Sequence, residues 1–188
     1  ELVAALPADG FAILNADDSY FPFLSSLVNG PVLSFGFSPR ADVHITQPRS
    51  RPAHAGTFTL RRPEYRRPIS VRLSVPGRHN IVNAAAASSV GFAMGVMPTS
   101  IRNGLARFRP MAMRAETVQW NGIKILNDAY NANPTSVCVA LEMLSDMTGV
   151  GRRIAVLGDM LELGRAAKRA HEEIGALVAN FGIDNLER

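Results

Sequence analysis

The chain has 188 residues, of which 47% are hydrophobic and 19% charged, and its formal net charge is +4. This length allows a buried core, in one larger domain or in two small ones. No apolar run approaches the roughly 20 residues that span a bilayer, and a single cysteine, Cys138, excludes an internal disulfide framework. We therefore expect a cytoplasmic protein without a membrane span, with Cys138 on the buried side of a helix.

The first half of the chain reads as a run of short strands, some of them antiparallel. The stretches "GFAILNADD", "PVLSFGF", "DVHITQ", "GTFTL" and "ISVRLSV" are β-branched or aromatic and are separated by Pro or Gly. The first of them ends in Asn15, Asp17 and Asp18. These oxygens suit Mg²⁺ or a simple loop, and the sequence does not decide between the two.

The positive charge is concentrated in this half. Residues 1–109 hold twelve arginines against six acids, whereas residues 110–188 hold eight basic residues against ten acids. The excess peaks in "LRRPEYRRPISVR", which suggests a nucleic-acid face as one interpretation. The stretch has no interleaved aromatic residue beyond Tyr65 to stack on bases. We favour a solvated strand surface or loop and expect no nucleic-acid partner.

An alanine-rich helix is predicted next, in "NIVNAAAASSVGFAMG", with Gly95 as its C-cap. Asn80 and Asn83 lie one turn apart at its start, where they share a face and can match the donors and acceptors of a purine edge. The alternative is that Asn80 caps the helix and Asn83 is merely exposed. His79 reads as structural, and no cluster of His, Cys and Asp suggests a zinc site. "PTSIRNGLARF" predicts a second, shorter helix.

The architecture restarts after "RFRPMAMR", which reads as a linker. Arg114 in this linker is a candidate for contacting phosphate, or it pairs with Glu116 on the surface. Asn121-Gly122 predicts a tight hairpin. The order is then strand (123–127), helix (134–147), strand (153–157) and helix (about 165–180), which favours a parallel sheet.

Polar clusters follow both strands of this second half, in "NDAYNANP" and "GDMLELG". Ligands of parallel sheets bind at the carboxyl ends of the strands. Asp128 suits ribose hydroxyls or a cation-bound water, although Asp and Asn also serve turns and helix caps. The same alternative holds for Asn131 and Asn133, and Tyr130 fits a half-buried anchor as well as a substrate contact. We favour a binding site, since a turn requires neither the tyrosine nor two amides.

A phosphate-cradling loop of the form G-x-x-x-x-G-K-[ST] does not occur in these residues. It needs a lysine after its last glycine. The two lysines of the chain, Lys124 and Lys168, follow Ile and Ala.

The motifs "GRHNIVNAAAA", "MRAE", "NDAYNANPTS", "LGDMLELG" and "HEEIG", in this order and spacing, resemble the Mur ligase family. "YNANP" is similar to the branch that adds D-alanyl-D-alanine, because sister ligases carry a His-containing motif there. The resemblance implies a monomeric cytoplasmic enzyme that uses ATP and Mg²⁺. The enzyme would join D-alanyl-D-alanine to UDP-N-acetylmuramoyl-tripeptide through an acyl phosphate, in peptidoglycan precursor synthesis.

The resemblance also implies roles for single residues, without a firmly assigned catalytic residue or metal ligand. Asn80 and Asn83 would contact the adenine region, Arg114 the phosphates and Asp128 the ribose. The dipeptide side would be lined by Tyr130, Asn131, Asn133 and Asp159. Asn15, Asp17 and Asp18 match a family strand end, and together with His79 they are expected to line the site without an assigned role.

The family's "DDSYNANP" is here "NDAYNANP", so Asn127 and Ala129 replace an acid and a serine. Segments for the UDP-sugar, the phosphate loop and the metal site of the family are missing from the chain. We therefore expect an α/β chain that is inactive alone. Residues 1–109 would be the C-terminal part of the central ATP-binding domain, with mixed strands and helices. Residues 110–188 would be a truncated, Rossmann-like C-terminal ligase domain. The alternatives are another Mur-type or folylpolyglutamate-type ligase, or a noncatalytic scaffold homologue.

Overall fold

The chain forms two compact units, Glu1–Arg109 and Pro110–Arg188. The structure is a computed structural model, and it describes residues 2–51, 54–75, 77–109, 111–147, 149 and 151–187. The strands are β1 (Ala12–Asn15), β2 (Val32–Gly36), β3 (Val43–Arg51), β4 (His54–Arg61), β5 (Ile69–Arg72), β6 (Glu116–Trp120), β7 (Ile123–Asn127), β8 (Ile154–Val156) and β9 (Asn185–Glu187). The helices are α1 (Phe21–Ser26), α2 (Arg78–Ala93), α3 (Pro98–Arg107), α4 (Pro134–Asp146) and α5 (Ala167–Asn180). This mixture confirms the predicted α/β class. No helix among the described residues is long and apolar enough to cross a bilayer.

The first unit is built on one mixed sheet with the order β1-β2-β3-β4-β5. β1 pairs in parallel with β2, and β2 pairs in parallel with β3. β3 pairs antiparallel with β4, and β4 with β5, so some of the predicted short strands are antiparallel as expected. Alternate side chains of β3 and β4 enter the core, because successive side chains of a strand point to opposite faces. Val43, Ile45, Phe58 and Leu60 are therefore almost completely buried.

Helix α2 covers this core with small side chains. Ile81, Ala84, Ala85 and Phe92 are buried at helical spacing. Ser88, also buried, satisfies its hydroxyl within the helix by donating to the Ala84 carbonyl at 2.7 Å. The short alanine side chains allow the helix to lie close to the sheet.

The C-terminal end of α2 agrees with the prediction, whereas its N-terminal end does not. Gly95 ends the helix as expected, with φ of +72°. Its N–H donates to the Phe92 carbonyl at 3.0 Å, and the Val96 N–H donates to the Gly91 carbonyl at 2.8 Å. These two bonds form a Schellman motif. The helix begins at Arg78, two residues earlier than predicted.

The second unit contains a hairpin and a separate parallel pair. β6 and β7 are antiparallel around Asn121 and Gly122, whose φ angles of 48° and 79° confirm the predicted tight turn. β8 pairs in parallel with β9. In the described part of the chain, β7 pairs with β6 rather than with β8. A two-residue turn brings β6 and β7 together locally, and α5 returns the chain for the β8–β9 pairing.

The core of the second unit lies between α4, α5 and the β8–β9 pair. Val137 and Leu141 of α4 pack with Ala170, Ile174 and Val178 of α5. Cys138 is only half-buried, at a groove of about 350 Å³ between the two helices. The prediction of a buried cysteine is therefore met in part.

Candidate functional site

The polar cluster after β7 is hydrogen-bonded to the segment that precedes β6. The Ala115 N–H donates to the Asp128 carboxylate at 2.8 Å, and the Tyr130 N–H donates to the Met113 carbonyl at 3.1 Å. Asp128 therefore holds the segment before β6, and Asn133 rather than Asp128 is the N-cap of α4. One of its carboxylate oxygens carries this bond, and a carboxylate has about four acceptor positions. Capacity for a ligand hydroxyl remains.

Arg114 lies between these two bonds and stacks on Tyr130. Its guanidinium carbon is 4.1 Å from the ring centroid. Met113 and Ala115 on either side have φ of 62° and 50°, which is uncommon for residues other than glycine. Among the described residues, Arg114 forms no ion pair with Glu116, whose carboxylate accepts from the Met113 N–H at 3.2 Å. A guanidinium that lies over a ring still carries five N–H donors with which it can bind an anion.

The two asparagines of "YNANP" use their side-chain oxygens for the backbone. Asn131 accepts from the Ala132 N–H at 2.9 Å. Asn133 caps α4, because its side chain accepts from the Ser136 N–H at 2.9 Å while the Ser136 hydroxyl accepts from the Asn133 N–H at 3.1 Å. The capping alternative is thus correct for Asn133. Contact of either side chain with a substrate stays a prediction.

The second polar cluster, "GDMLELG", forms the loop between β8 and α5. Asp159 is exposed on this loop, and the next residue, Met160, is buried in the core. The Met160 N–H donates to Nε2 of His171 at 3.0 Å, and the same nitrogen lies 3.9 Å from an Asp159 oxygen. The sequence assigned no role to His171 by itself. This histidine is nevertheless the first residue of the motif "HEEIG", which is one of the motifs that resemble the family.

Asn80 and Asn83 lie in the first unit, on the first turns of α2. Asn80 is partly buried and Asn83 is exposed. Gly77 is the N-cap residue, so the alternative that Asn80 caps the helix is wrong. The ring of His79 lies against Gly77, where an added Cβ would approach its Cε1 to 2.5 Å. The structural interpretation of His79 fits this close approach.

The three polar residues at the end of β1 and directly after it accept hydrogen bonds from backbone N–H groups. The side chains of Asn15 and Asp18 each accept from the backbone N–H two residues later. Asp17 accepts from the N–H groups of Phe37 and Ser38 at 2.7 and 2.8 Å, with one bond to each carboxylate oxygen. These bonds favour the loop interpretation. Within the described ranges, no three His, Cys, Asp or Glu side chains come together in a way that could hold a metal ion.

Part of the arginine-rich stretch is built into the fold. Arg62 has a side chain only 13% exposed and lies over the Phe92 ring at 4.9 Å from its centroid. It also pairs with Glu64 at 2.8 Å. A backbone hydrogen bond and then Arg62 hold the pKa of the Glu64 carboxyl below its ordinary value. This arginine contributes to packing, which supports a structural interpretation of the stretch.

Two family descriptions match most of the chain. "Mur ligase middle domain" matches residues 1–91, and "Mur ligase, glutamate ligase domain" matches residues 113–186. The two matches cover the elements that carry all the candidate residues.

Individual relatives agree with these matches. The UDP-N-acetylmuramoyl-tripeptide–D-alanyl-D-alanine ligase of Escherichia coli K12 is 33% identical over 99% of this chain and 41% of its own length. The UDP-N-acetylmuramate–L-alanine ligase of Clavibacter sepedonicus is 35% identical over 81% of this chain and 31% of its own length. A crystal structure of MurF from Acinetobacter baumannii superposes with a TM-score of 0.86 at 30% identity, covering 96% of this chain and 38% of that one.

The chain spans about two fifths of the length of the E. coli relative. Its motifs, its fold and both family descriptions nevertheless agree. On this evidence, the chain belongs to the Mur ligase family.

Proposed function

We propose that this chain is part of an ATP-dependent ligase that adds D-alanyl-D-alanine to UDP-N-acetylmuramoyl-tripeptide. The observation that carries the proposal is its similarity, along nearly the whole chain, to the E. coli ligase of that name. The cluster "YNANP" supports the same branch. Bound ATP would supply the phosphoryl group that converts the tripeptide carboxylate into an acyl phosphate and would leave as ADP. Attack of the dipeptide amine on the acyl carbon would then form the peptide bond and release inorganic phosphate and a proton.

For the nucleotide, we propose four residues. Asn80 and Asn83 contact the adenine region, and Asp128 accepts from the ribose hydroxyls with its remaining acceptor capacity. Arg114 binds the phosphates. Its stacking on Tyr130 orients the guanidinium before binding, so that less side-chain entropy is lost when the anion arrives.

For the dipeptide, we propose Tyr130, Asn131, Asn133 and Asp159. D-alanyl-D-alanine carries an ammonium and a carboxylate, and the exposed carboxylate of Asp159 complements the ammonium. The amide nitrogens of the two asparagines are donors that suit the carboxylate end. Tyr130 directly precedes Asn131 in the sequence, and Arg114 lies over its ring. It would therefore connect the dipeptide side with the phosphate side.

The proposal extends to the whole enzyme. Mg²⁺ commonly binds through substrate phosphates and one or two carboxylates, and we assign none of this chain's residues to it. We propose a monomer that acts in the cytoplasm, and that this chain alone does not complete ligation.

A second candidate is a sister ligase with a different amine substrate. The similarity to the Clavibacter L-alanine ligase favours this alternative. The two candidates differ in the amine that the second unit should bind. A noncatalytic scaffold, permitted by Asn127 and Ala129, should bind neither amine.

Calorimetric titration of D-alanyl-D-alanine into the purified chain tests the proposal, with L-alanine and L-alanyl-L-alanine as competitors. We expect binding of the D,D-dipeptide only, weakened about tenfold or more by Asp159→Asn, since a charged hydrogen bond contributes roughly 1.5–3 kcal/mol. Asp146→Asn is the matched control, because Asp146 is an exposed acid at the end of α4.

The outcomes separate the candidates. Preferential binding of L-alanine would replace the proposal by the sister ligase. Absence of any amine binding would contradict the assignment of the dipeptide site to these residues.

A further inference from the structure

Both ring nitrogens of His171 have defined partners. Nε2 lies 3.0 Å from the backbone nitrogen of Met160, and Nδ1 lies 2.7 Å from the carbonyl oxygen of Ala167. The first partner is a donor and the second is an acceptor. The contacts therefore require a neutral ring with its proton on Nδ1, because only this tautomer accepts at Nε2 and donates at Nδ1.

The imidazole joins α5 to one point of the loop after β8. Ala167 is the first residue of α5, so the ring is fixed to the start of the helix. Met160 is held from its other side as well, because its side chain is only 5% exposed in the core of the second unit. An unpaired N–H at such a position would be costly. Side-chain burial and the His171 bond together fix the backbone at Met160.

Asp159 is the residue that this arrangement places. Its side chain is 52% exposed, and the residue lies directly between Gly158 and the fixed Met160. Its carboxylate lies 3.9 Å from Nε2 of His171.

We propose that His171 is a positioning residue that fixes Asp159 for the amine substrate by accepting the Met160 N–H. The identity of the substrate rests on the function proposed above, whereas the contact with Met160 does not. His171 acts through the loop and touches no reacting atom.

Two substitutions of His171 distinguish the hydrogen bond at Nε2 from the hydrogen bond at Nδ1. In His171→Gln the amide oxygen reaches the place of Nε2 and can accept from Met160. In His171→Asn the shorter amide reaches only the place of Nδ1, so it can donate to Ala167 but leaves Met160 without an acceptor. Glu172→Ala is the control, because Glu172 is an exposed neighbour on the same turn of α5.

The first measurement is nuclear magnetic resonance of the chain at about pH 8, where free imidazole is neutral. Long-range ¹H–¹⁵N correlation should show the proton of His171 on Nδ1. Exchange of the Met160 amide hydrogen should be about tenfold faster in His171→Asn than in His171→Gln or Glu172→Ala. A proton on Nε2, or equal exchange in all variants, would overturn the proposal.

The second measurement is calorimetric titration of D-alanyl-D-alanine into the same proteins. We expect His171→Asn to weaken binding about fivefold to tenfold, with most of the affinity retained in His171→Gln. Equal losses in both variants would mean that the ring is only structural and would overturn the positioning role. If the wild-type chain shows the expected tautomer and Met160 protection but no dipeptide binding, the contact stands and the function proposed above fails.

Discussion

Asp17 shows how the fold itself uses an acidic residue at a strand end. Its two carboxylate oxygens accept from consecutive backbone N–H groups after β2, so the carboxylate joins the ends of β1 and β2. Gly36 makes this close approach possible. It has φ of +152°, and a Cβ at this position would lie 2.7 Å from an Asp17 oxygen.

Gly36→Ala should therefore destabilise the chain by roughly 1–3 kcal/mol, because the methyl group meets the carboxylate and the backbone is strained. Asp17→Ala should cost about 2 kcal/mol through the loss of two charge-assisted hydrogen bonds. In the double variant the methyl group no longer meets a carboxylate. The combined loss should therefore be smaller than the sum.

Urea denaturation of the wild type, both single variants and the double variant measures this coupling. Asp18→Ala is the control, since Asp18 accepts a single bond within its own turn. Strict additivity of the two changes would show that the carboxylate does not occupy the position described for it.

At the scale of elements, α4 depends on a reciprocal cap. Asn133→Ala removes the acceptor for the Ser136 N–H and should destabilise the second unit by about 1 kcal/mol. Asn133→Ser keeps a capping oxygen but lacks the amide, so we expect it to be nearly neutral for stability. Thermal unfolding followed by circular dichroism measures both effects.

The same pair of variants separates capping from binding. If Asn133 also contacts the dipeptide, Asn133→Ser should weaken D-alanyl-D-alanine binding while its stability is retained. A serine variant as unstable as the alanine variant would contradict the described cap. Thr135→Ala is a suitable control, because Thr135 is an exposed residue next to the cap that has no part in it.

Elements with local signals were predictable from the sequence. The Asn121-Gly122 turn, the Gly95 end of α2 and the start of α4 at Pro134 follow from residues within a few positions. α1 was missed, because its six residues have no apolar periodicity. β9 was missed as well, since a strand of three residues is defined by its distant partner β8 rather than by its own sequence.

The candidate site likewise contains features that local sequence predicts and contacts that it does not predict. The capping role of Asn133 was available as a local alternative. The bond of Asp128 to Ala115 and that of Met160 to His171 join residues 13 and 11 positions apart. Chain folding creates such pairs, and nothing in the intervening sequence specifies them. A motif such as "HEEIG" identifies the residue without its partner.

At the scale of the whole molecule, each of the two units has its own buried cluster. One consists of residues between Phe35 and Ile101, and the other of residues between Val137 and Ile183. Charge is divided as well, because twelve basic residues against six acids give +6 in residues 1–109, while eight against ten give −2 in residues 110–188. The proposed dipeptide residues and His171 all belong to the negatively charged unit. This charge suits a cationic ammonium group better than the phosphate backbone of a nucleic acid.

A segment of residues 110–188 should therefore fold alone and bind D-alanyl-D-alanine within about twofold of the affinity of the 188-residue chain. A core of this size supplies roughly 3–5 kcal/mol of stability. Leu141 is only 2% exposed at its centre, so Leu141→Ala, at about 2–5 kcal/mol, should unfold most of the segment and abolish binding. Circular dichroism and calorimetry of both segments measure these effects. A folded segment without affinity would show that the residues proposed for the dipeptide are insufficient, whereas an unfolded one would show that the second cluster cannot sustain a fold by itself.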